Sequence, residues 1–407
     1  MESGSNGGRR SGALVVGGCL LAMYITAPGQ TFVVSTFNDA LTADLGLSAG
    51  ELGLAYLIGT LCSAACLTAV GAAADRIGPR RMIAFASVGL ALAGAGFGAA
   101  EGFATLTAAF FMLRVTGQGA ISMASSHALA LRFDATLGRM EGLRGGVVAL
   151  AIASVPQVSM ALIEGQGWRS AAVALGVTAG ALGLFAAVCM IDRDPTPGSD
   201  AGDGASGWAG SFSPAEARRT PAYWILLLLV ATQAAVVTGI HFHLLPILAE
   251  AGVSAVEAAR TYMSYAAAGL VATLGGGVLA DRFRPGPLLG ASMGLLALGA
   301  LALSRSSGTA ASHLAMGVLG LAQGLGAATH GPTLARYFGR RHHGAIRGTA
   351  GTAAVVGSAV APWAAGAAAE GSGSFTPALL MMGGLAGGLA LLCGALRAPG
   401  EAPTDLP

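Results

Sequence analysis

Long apolar runs, interrupted only by short polar segments, fill most of this 407-residue sequence. Only 10% of the residues are charged and 54% are hydrophobic, whereas about a quarter of the residues of a soluble protein are charged. A membrane-spanning helix needs about 20 consecutive apolar residues. The sequence therefore predicts an all-α polytopic membrane protein with twelve spans, near residues 12–36, 49–72, 81–100, 103–129, 142–163, 168–190, 222–247, 255–280, 286–304, 309–334, 345–369 and 374–397.

The two halves of the chain repeat each other with an offset of 206 residues. The equivalent pairs are Gly46 and Gly252, Ser48 and Ser254, Glu51 and Glu257, Tyr56 and Tyr262, Gly71 and Gly277, Asp75 and Asp281, Arg76 and Arg282, and Pro79 and Pro285. Parallel repeats of helical bundles are one way in which transporters are built, with the substrate site between the halves. We expect an N-terminal six-helix bundle over 1–191, a cytoplasmic linker rich in Pro, Gly, Ser and Asp over 192–220, and a C-terminal six-helix bundle over 221–400.

The loop between the second and third runs reads Gly71-Ala-Ala-Ala-Asp-Arg-Ile-Gly-Pro-Arg-Arg81, and a weaker copy follows at 277–285. It resembles the signature loop of the major facilitator superfamily (MFS). The resemblance implies secondary transport by rocker-switch alternating access, in which this loop latches the cytoplasmic side. That gating role falls here on Gly71, Asp75, Arg76, Arg80, Gly277, Asp281 and Arg282. The resemblance implies that the acid and the arginines bond to the ends of neighbouring helices, and Gly71 is expected to let a neighbouring helix approach. The alternative is that the loop arginines only fix membrane topology.

Arginine is the only cationic residue besides histidine, and its distribution predicts the topology. A cytoplasmic N-terminus places eighteen arginines inside, and only Arg169, Arg260 and Arg305 outside. This bias is what the positive-inside rule predicts. We therefore expect an integral protein of the bacterial inner (plasma) membrane with both termini in the cytoplasm.

Small and polar residues give more local predictions. The spacings of Gly320 with Gly324 and of Gly383 with Gly387 predict close contacts between helices, the alternative being that a glycine-rich composition alone produces them, and Ser48 is expected to cap the second span. The five cysteines all lie in apolar runs and are interpreted as packing residues, so no disulfide, metal site or cofactor is expected.

Arg114 is the one charged residue that the predicted spans place in mid-membrane, and no acidic residue accompanies it. An intramembrane charge costs at least about 2.5–3.5 kcal/mol and marks a candidate functional site. Gln118, Ser122 and Ser125 follow it at helical spacing. The motif Arg114-Val-Thr-Gly-Gln-Gly119 is similar to one in the fourth span of proton-linked MFS members, which implies a role in proton coupling. The alternative is that Arg114 only bonds carbonyls and glutamines of neighbouring spans.

Other polar or aromatic residues are predicted at a similar depth in the membrane. One of them is Tyr24 in the first span, and Pro28 and Gly29 are expected to kink this span just beyond it. Each of these residues could instead form a hydrogen bond between helices, but their convergence at one depth of the membrane favours a binding site. Of these residues only His241 and His330 titrate near neutral pH, so they are the candidates for proton transfer. The substrate-binding candidates besides Arg114 and Gln118 are Tyr24, Gln30, Gln157, Gln233, His241, Gln323, His330 and Trp363.

An unpaired arginine favours an anionic substrate, because guanidinium binds a carboxylate through two parallel hydrogen bonds. The sequence thus predicts transport of a small organic anion by uniport or proton symport. The alternatives are proton-coupled efflux of drugs or hydrophobic metabolites and a non-transporting membrane sensor of the same fold. An intramembrane enzyme is not expected, since no span carries a catalytic motif such as His-Glu-x-x-His. The expected partners are the small-molecule substrate, a proton as candidate co-substrate and membrane lipid, without nucleic acid, and the protein is expected to be a monomer.

Overall fold

The computed structural model describes residues 3–132, 137–190, 212–339, 342–396 and Pro399. Most of the predicted linker lies outside these residues, as do the side chains of Asp75 and Asp281. The regular elements in the described part are all helical, which confirms the all-α prediction. The α-helices are α1 Ser3–Tyr24, α2 Thr31–Val34, α3 Asn38–Leu45, α4 Ala49–Ile77, α5 Pro79–Gly98, α6 Phe103–Leu113, α7 Ser122–Arg132, α8 Leu137–Gln166, α9 Trp168–Cys189, α10 Pro214–Ala217, α11 Pro221–Phe242, α12 Leu244–Glu250, α13 Ala255–Arg282, α14 Pro285–Leu303, α15 Gly308–Phe338, α16 His343–Ser372 and α17 Thr376–Leu392.

Each of the twelve predicted runs coincides with a helix or a broken helix among the described residues. Eight helices there are long and apolar enough to cross a membrane, and a bent pair, Leu14–Gly29 with Thr31–Leu45, makes a ninth candidate. The other three runs correspond to an interrupted helix over 103–132, to α15 and to α17, which has only 17 residues. The polytopic helical fold is therefore present, with irregular helices at some of the predicted spans.

The chain forms two compact units. The first comprises Met1–Asp200 and His241–Met263, and the second comprises Ala201–Ile240 and Ser264–Pro407. Within the first unit α5 and α9 touch at glycines, since a Cβ added to Gly94 would lie 2.6 Å from the Cα of Gly176. Close packing of this kind stabilises helix association in a membrane, where the surrounding lipid is as apolar as the side chains and the hydrophobic effect does not drive helices together.

Within the second unit the predicted contact at Gly320 and Gly324 is confirmed. A Cβ on Gly320 would lie 2.2 Å from the carbonyl oxygen of Tyr265, and one on Gly324 would lie 2.2 Å from that of Gly269. Only glycine lets α13 and α15 approach this closely. In the other predicted pair, a Cβ on Gly383 would lie 2.9 Å from the side chain of Leu301, but one on Gly387 would make only an ordinary 3.7 Å contact with Ala297, so that position does not require glycine.

The predicted cap of the second span is also confirmed. The Ser48 hydroxyl accepts from the backbone N–H of Glu51 at 3.2 Å, and the Glu51 carboxylate accepts from the backbone N–H of Ser48 at 2.9 Å. Its repeat equivalent uses the same residues, because the Ser254 hydroxyl accepts from the Glu257 N–H at 3.4 Å. The internal repeat therefore extends to how the helices begin.

Candidate functional site

The first span breaks at the predicted kink. Pro28 lies in a 3₁₀ turn over Ala27–Gly29, Gln30 is extended, and the helix resumes at Thr31, bent by 46°. Proline supplies no N–H for a continuing helix, so a break here costs little. The restarted segment presents Thr31 and, one turn later, Ser35 to the neighbouring helices.

The fourth span carries a π-helical segment, Arg114–Ile121, between α6 and α7. The break in the first span packs directly on it, since a Cβ on Gly29 would lie 2.4 Å from the carbonyl oxygen of Leu113 and 3.3 Å from the Cα of Gly117. Segments of π-helix are rare and concentrate at functional sites. The regular helical spacing predicted from Arg114 onward therefore does not hold here.

Arg114 is the first residue of this π-helical segment and is buried, with 5% of its surface exposed. Its guanidinium carbon lies 5.2 Å from the centroid of the Tyr56 ring. The side chain makes no hydrogen bond or ion pair with any residue that the structure describes. An arginine in this state retains five N–H donors for a ligand.

Tyr56 is fully buried and belongs to the site, although in the sequence it is distinguished only as the repeat partner of Tyr262. Its hydroxyl forms a 2.6 Å hydrogen bond with the hydroxyl of Thr31. The ring also contacts Phe110 edge-on, at 5.5 Å between centroids. Retention of tyrosine at equivalent positions in both halves was the signal that could have identified it.

Tyr262 repeats this arrangement in the same unit. It is fully buried, its hydroxyl lies 3.0 Å from that of Ser35, and it donates to the carbonyl oxygen of His241 at 3.1 Å. Its ring lies 5.1 Å from the imidazole of His241. Two repeat-related tyrosines thus bond the restarted first span at positions one helical turn apart, but only Tyr56 faces an arginine.

The first unit also contains the predicted Tyr24, Gln30 and Gln157. The Tyr24 hydroxyl forms a 2.9 Å hydrogen bond with Ser154, and Gln30 is half-buried in the break of the first span. The Gln157 amide donates to the carbonyl oxygen of Ala259 at 3.1 Å, while its Oε1 is enclosed without a hydrogen-bond partner among the described residues.

Gln118 is exposed although Arg114, four residues earlier, is buried. Ser125, which is predicted to lie on the same helix face as Gln118, is instead buried, and its hydroxyl donates to the carbonyl oxygen of Cys19 at 2.9 Å. These three predicted neighbours therefore have different environments on the interrupted fourth span. A substrate role for Gln118 stays a prediction.

In the second unit Gln233 and Gln323 are hydrogen-bonded to each other across two helices, as the alternative to a binding role expects, and a substrate role for them stays a prediction. The Gln233 amide nitrogen donates to Gln323 Oε1 at 3.1 Å and to the carbonyl oxygen of Ala322 at 3.2 Å. Gln233 Oε1 and His330 Nε2 are enclosed without hydrogen-bond partners in the described part of the chain. Trp363 is 41% exposed, and His241 falls in the first unit.

The signature loop shows one of its expected contacts. Arg80 donates through Nε to the carbonyl oxygen of Ala187, at 3.0 Å, in the last turn of α9. A cation there stabilises the end of a helix. Arg76 and Arg282 are exposed.

The loop glycines are less constrained than expected. A Cβ on Gly71 would lie 3.4 Å from Met123 Sδ, which is an ordinary contact, and one on Gly277 would meet nothing within 4 Å. Close helix packing therefore does not require glycine at either position in this structure. The gating roles stay predictions, and the side chains of Asp75 and Asp281 lie outside the described residues.

The apolar helices define the class of protein, the polytopic helical membrane proteins, and the buried arginine marks a candidate functional site within it. Residues 19–334 match the family model of the Major Facilitator Superfamily. The chain belongs to this superfamily, and it is a transporter rather than an enzyme.

Two solved structures share the fold. Both are crystal structures of a bacterial homolog of the human lysosomal transporter Spinster in an inward-facing conformation. The unoccupied form is 15% identical with a TM-score of 0.70, covering 95% of this chain and 95% of the other. The occupied form is 15% identical with a TM-score of 0.72, covering 97% and 99%. A search of curated proteins finds no match.

Proposed function

We propose that this protein is a secondary active transporter that moves a small organic anion, a carboxylate, by rocker-switch alternating access and by uniport or proton symport. The observation that carries the proposal is the buried Arg114 guanidinium, which has no carboxylate or hydrogen-bond partner among the described residues. The further proposals are an inner-membrane location, cytoplasmic termini and a monomeric state.

The energetic argument starts from the cost of burying a charge. A buried, unpaired cation is strongly unfavourable, so a protein that keeps one must compensate it. The Tyr56 ring offers partial compensation, worth about 2 kcal/mol in a desolvated setting. A carboxylate offers more, because it neutralises the charge and accepts two hydrogen bonds from the guanidinium edge.

Polar groups elsewhere in the protein support a hydrophilic substrate. Gln157 Oε1, Gln233 Oε1 and His330 Nε2 are all enclosed and lack hydrogen-bond partners within the described residues. Buried polar atoms are normally satisfied, so atoms such as these can be completed by water or by a bound ligand. His241 and His330 keep their proposed role as proton carriers if transport is coupled to a pH gradient.

The test is uptake of labelled acetate, pyruvate, oxalate and succinate by vesicles that contain the purified protein, with and without a pH gradient. We expect saturable uptake of at least one of these anions and loss of it in Arg114→Ala. The matched control is Arg260→Ala, which removes an exposed arginine that already pairs with Glu257. Failure of all four anions to enter, or equal uptake by Arg114→Ala and wild type, would refute the proposal. Extrusion of a hydrophobic dye driven by the pH gradient would favour efflux instead.

A further inference from the structure

We infer that Tyr56 is a positioning residue of the Arg114 site: the face of its ring holds the guanidinium where the anion binds, and its hydroxyl anchors the ring to the first span through Thr31. The inference rests on the proposed function and adds a residue of the second span to it. It depends on the 5.2 Å approach of the guanidinium carbon to the ring centroid and on the 2.6 Å hydrogen bond to Thr31.

The ring is held firmly enough to position a neighbour. Tyr56 has no exposed surface, and its ring packs against Phe110 at 5.5 Å and Phe242 at 4.7 Å between centroids. The hydrogen bond to Thr31 fixes the remaining freedom at the hydroxyl end. A side chain packed on both sides and bonded at its tip has one orientation, so the guanidinium meets a ring face that does not move.

The guanidinium needs such support because of its place in the chain. Arg114 begins the π-helical segment, and the described residues give its side chain no hydrogen bond that would select a rotamer. Arginine has four rotatable side-chain bonds, so an unsupported guanidinium would sample many positions and an anion would have to order it on binding. The Tyr56 ring orders it beforehand, which lowers the entropic cost of binding.

Contact with an aromatic face also leaves the useful donors available. A cation over a ring interacts with the π electrons and not with hydrogen-bond acceptors. The N–H groups along the guanidinium edge therefore stay free for the two parallel hydrogen bonds that a carboxylate accepts. A carboxylate in place of the ring would occupy those same donors and neutralise the charge.

Tyr262 provides a matched control within the same unit. It is the repeat equivalent of Tyr56, is equally buried, and bonds the same segment of the first span through Ser35. Its ring, however, faces the imidazole of His241 and not an arginine. Loss of the Tyr262 ring therefore tests packing and the bond to the first span, whereas loss of the Tyr56 ring tests these and the support of Arg114.

The first experiment measures the concentration dependence of labelled pyruvate uptake, or of labelled oxalate if pyruvate does not enter. Tyr56→Leu should raise KM by about 10- to 30-fold, since it removes the cation–π contact. Tyr56→Phe keeps the ring under the guanidinium and should raise KM by about threefold or less. Tyr262→Leu should leave KM within about twofold of wild type, whatever its effect on the maximal rate.

The second experiment separates electrostatic support from packing. Phenylalanine carrying one, two or three ring fluorines is incorporated at position 56, which changes the ring's size little but progressively weakens the negative potential of its face. We expect KM to rise in step with fluorination at position 56 and to stay constant in the same series at position 262. A purely structural role for Tyr56 would give no trend.

The outcomes distinguish this inference from the proposed function. Unchanged KM in Arg114→Ala, or no uptake of either anion, would overturn the anion site itself and the inference with it. Loss of uptake in Arg114→Ala together with unchanged KM in Tyr56→Leu and in the fluorinated series would overturn the inference alone.

Discussion

The substitution Gly29→Ala should destabilise the protein more than the addition of a single methyl group suggests. The added Cβ would lie 2.4 Å from the carbonyl oxygen of Leu113, where ordinary contact begins at 3.4 Å, so the first and fourth spans must separate by about 1 Å. The atom it meets belongs to the backbone, which cannot turn aside as a side chain would. Overpacking of this kind costs about 1–3 kcal/mol. The thermal unfolding midpoint in detergent should fall by about 1 °C for each kcal/mol, because the unfolding entropy grows with chain length.

The matched control for this prediction is Gly96→Ala in α5, where an added Cβ meets no atom within 4 Å. Alanine is the better helix former, so this variant should be as stable as wild type or more stable, by up to about 1 kcal/mol. Both variants are compared by the same melting assay in the same detergent. Equal midpoints for Gly29→Ala and Gly96→Ala would refute the claim that the first span crosses the π-helical segment in close contact.

Two further predictions concern the signature loop and the short helix α10. Asp75→Asn should leave membrane insertion unchanged but slow turnover, because the signature loop then loses its acidic group; transport at the wild-type rate and normal expression would remove the gating role. In the Ser213–Glu216 capping box, the 2.7 Å hydrogen bond from the backbone N–H of Ser213 to the Glu216 carboxylate and a side-chain hydrogen bond with Ser213 hold the pKa of that carboxyl below its usual range. Because that pKa is lowered on folding, the stabilisation of α10 is present above the usual carboxyl pKa and is lost as the pH falls through the lowered value. Protection of the amides over 213–217 from exchange, corrected for the intrinsic pH dependence of exchange, should therefore fall on acidification in wild type and show no such added pH dependence in Glu216→Gln.

The elements that sequence predicts well here are those set by local chemistry. Runs of about 20 apolar residues place the spans, Pro28 and Gly29 place the break in the first span, and Ser48 with Glu51 places a helix cap. Each depends on residues close together in sequence. The burial of Arg114 also follows locally, because long apolar stretches flank it on both sides.

The features that sequence did not predict depend on contacts between distant segments. The π-helical segment at Arg114–Ile121 lies where Gly29 and Gly117 allow two backbones to meet, and this meeting has no signature in either segment alone. Tyr56 sits in an apolar span, where a tyrosine is usually a packing residue, so its place beside Arg114 became evident only from the fold. Gly71 is the opposite case. The motif predicts that helices approach closely at this glycine, but the structure leaves room there for a Cβ.

The most direct measurement of the central claim is thermal stabilisation of the purified protein by pyruvate and by its neutral amide, in wild type and in Arg114→Gln. A ligand that binds only the folded state adds about 2.7 kcal/mol of stability at one hundred times its Kd. If the buried Arg114 guanidinium binds a carboxylate, pyruvate raises the melting midpoint of wild type and the neutral amide does not. The Arg114→Gln variant then responds to neither ligand. Equal stabilisation by the amide, or an undiminished response of Arg114→Gln to pyruvate, would contradict it.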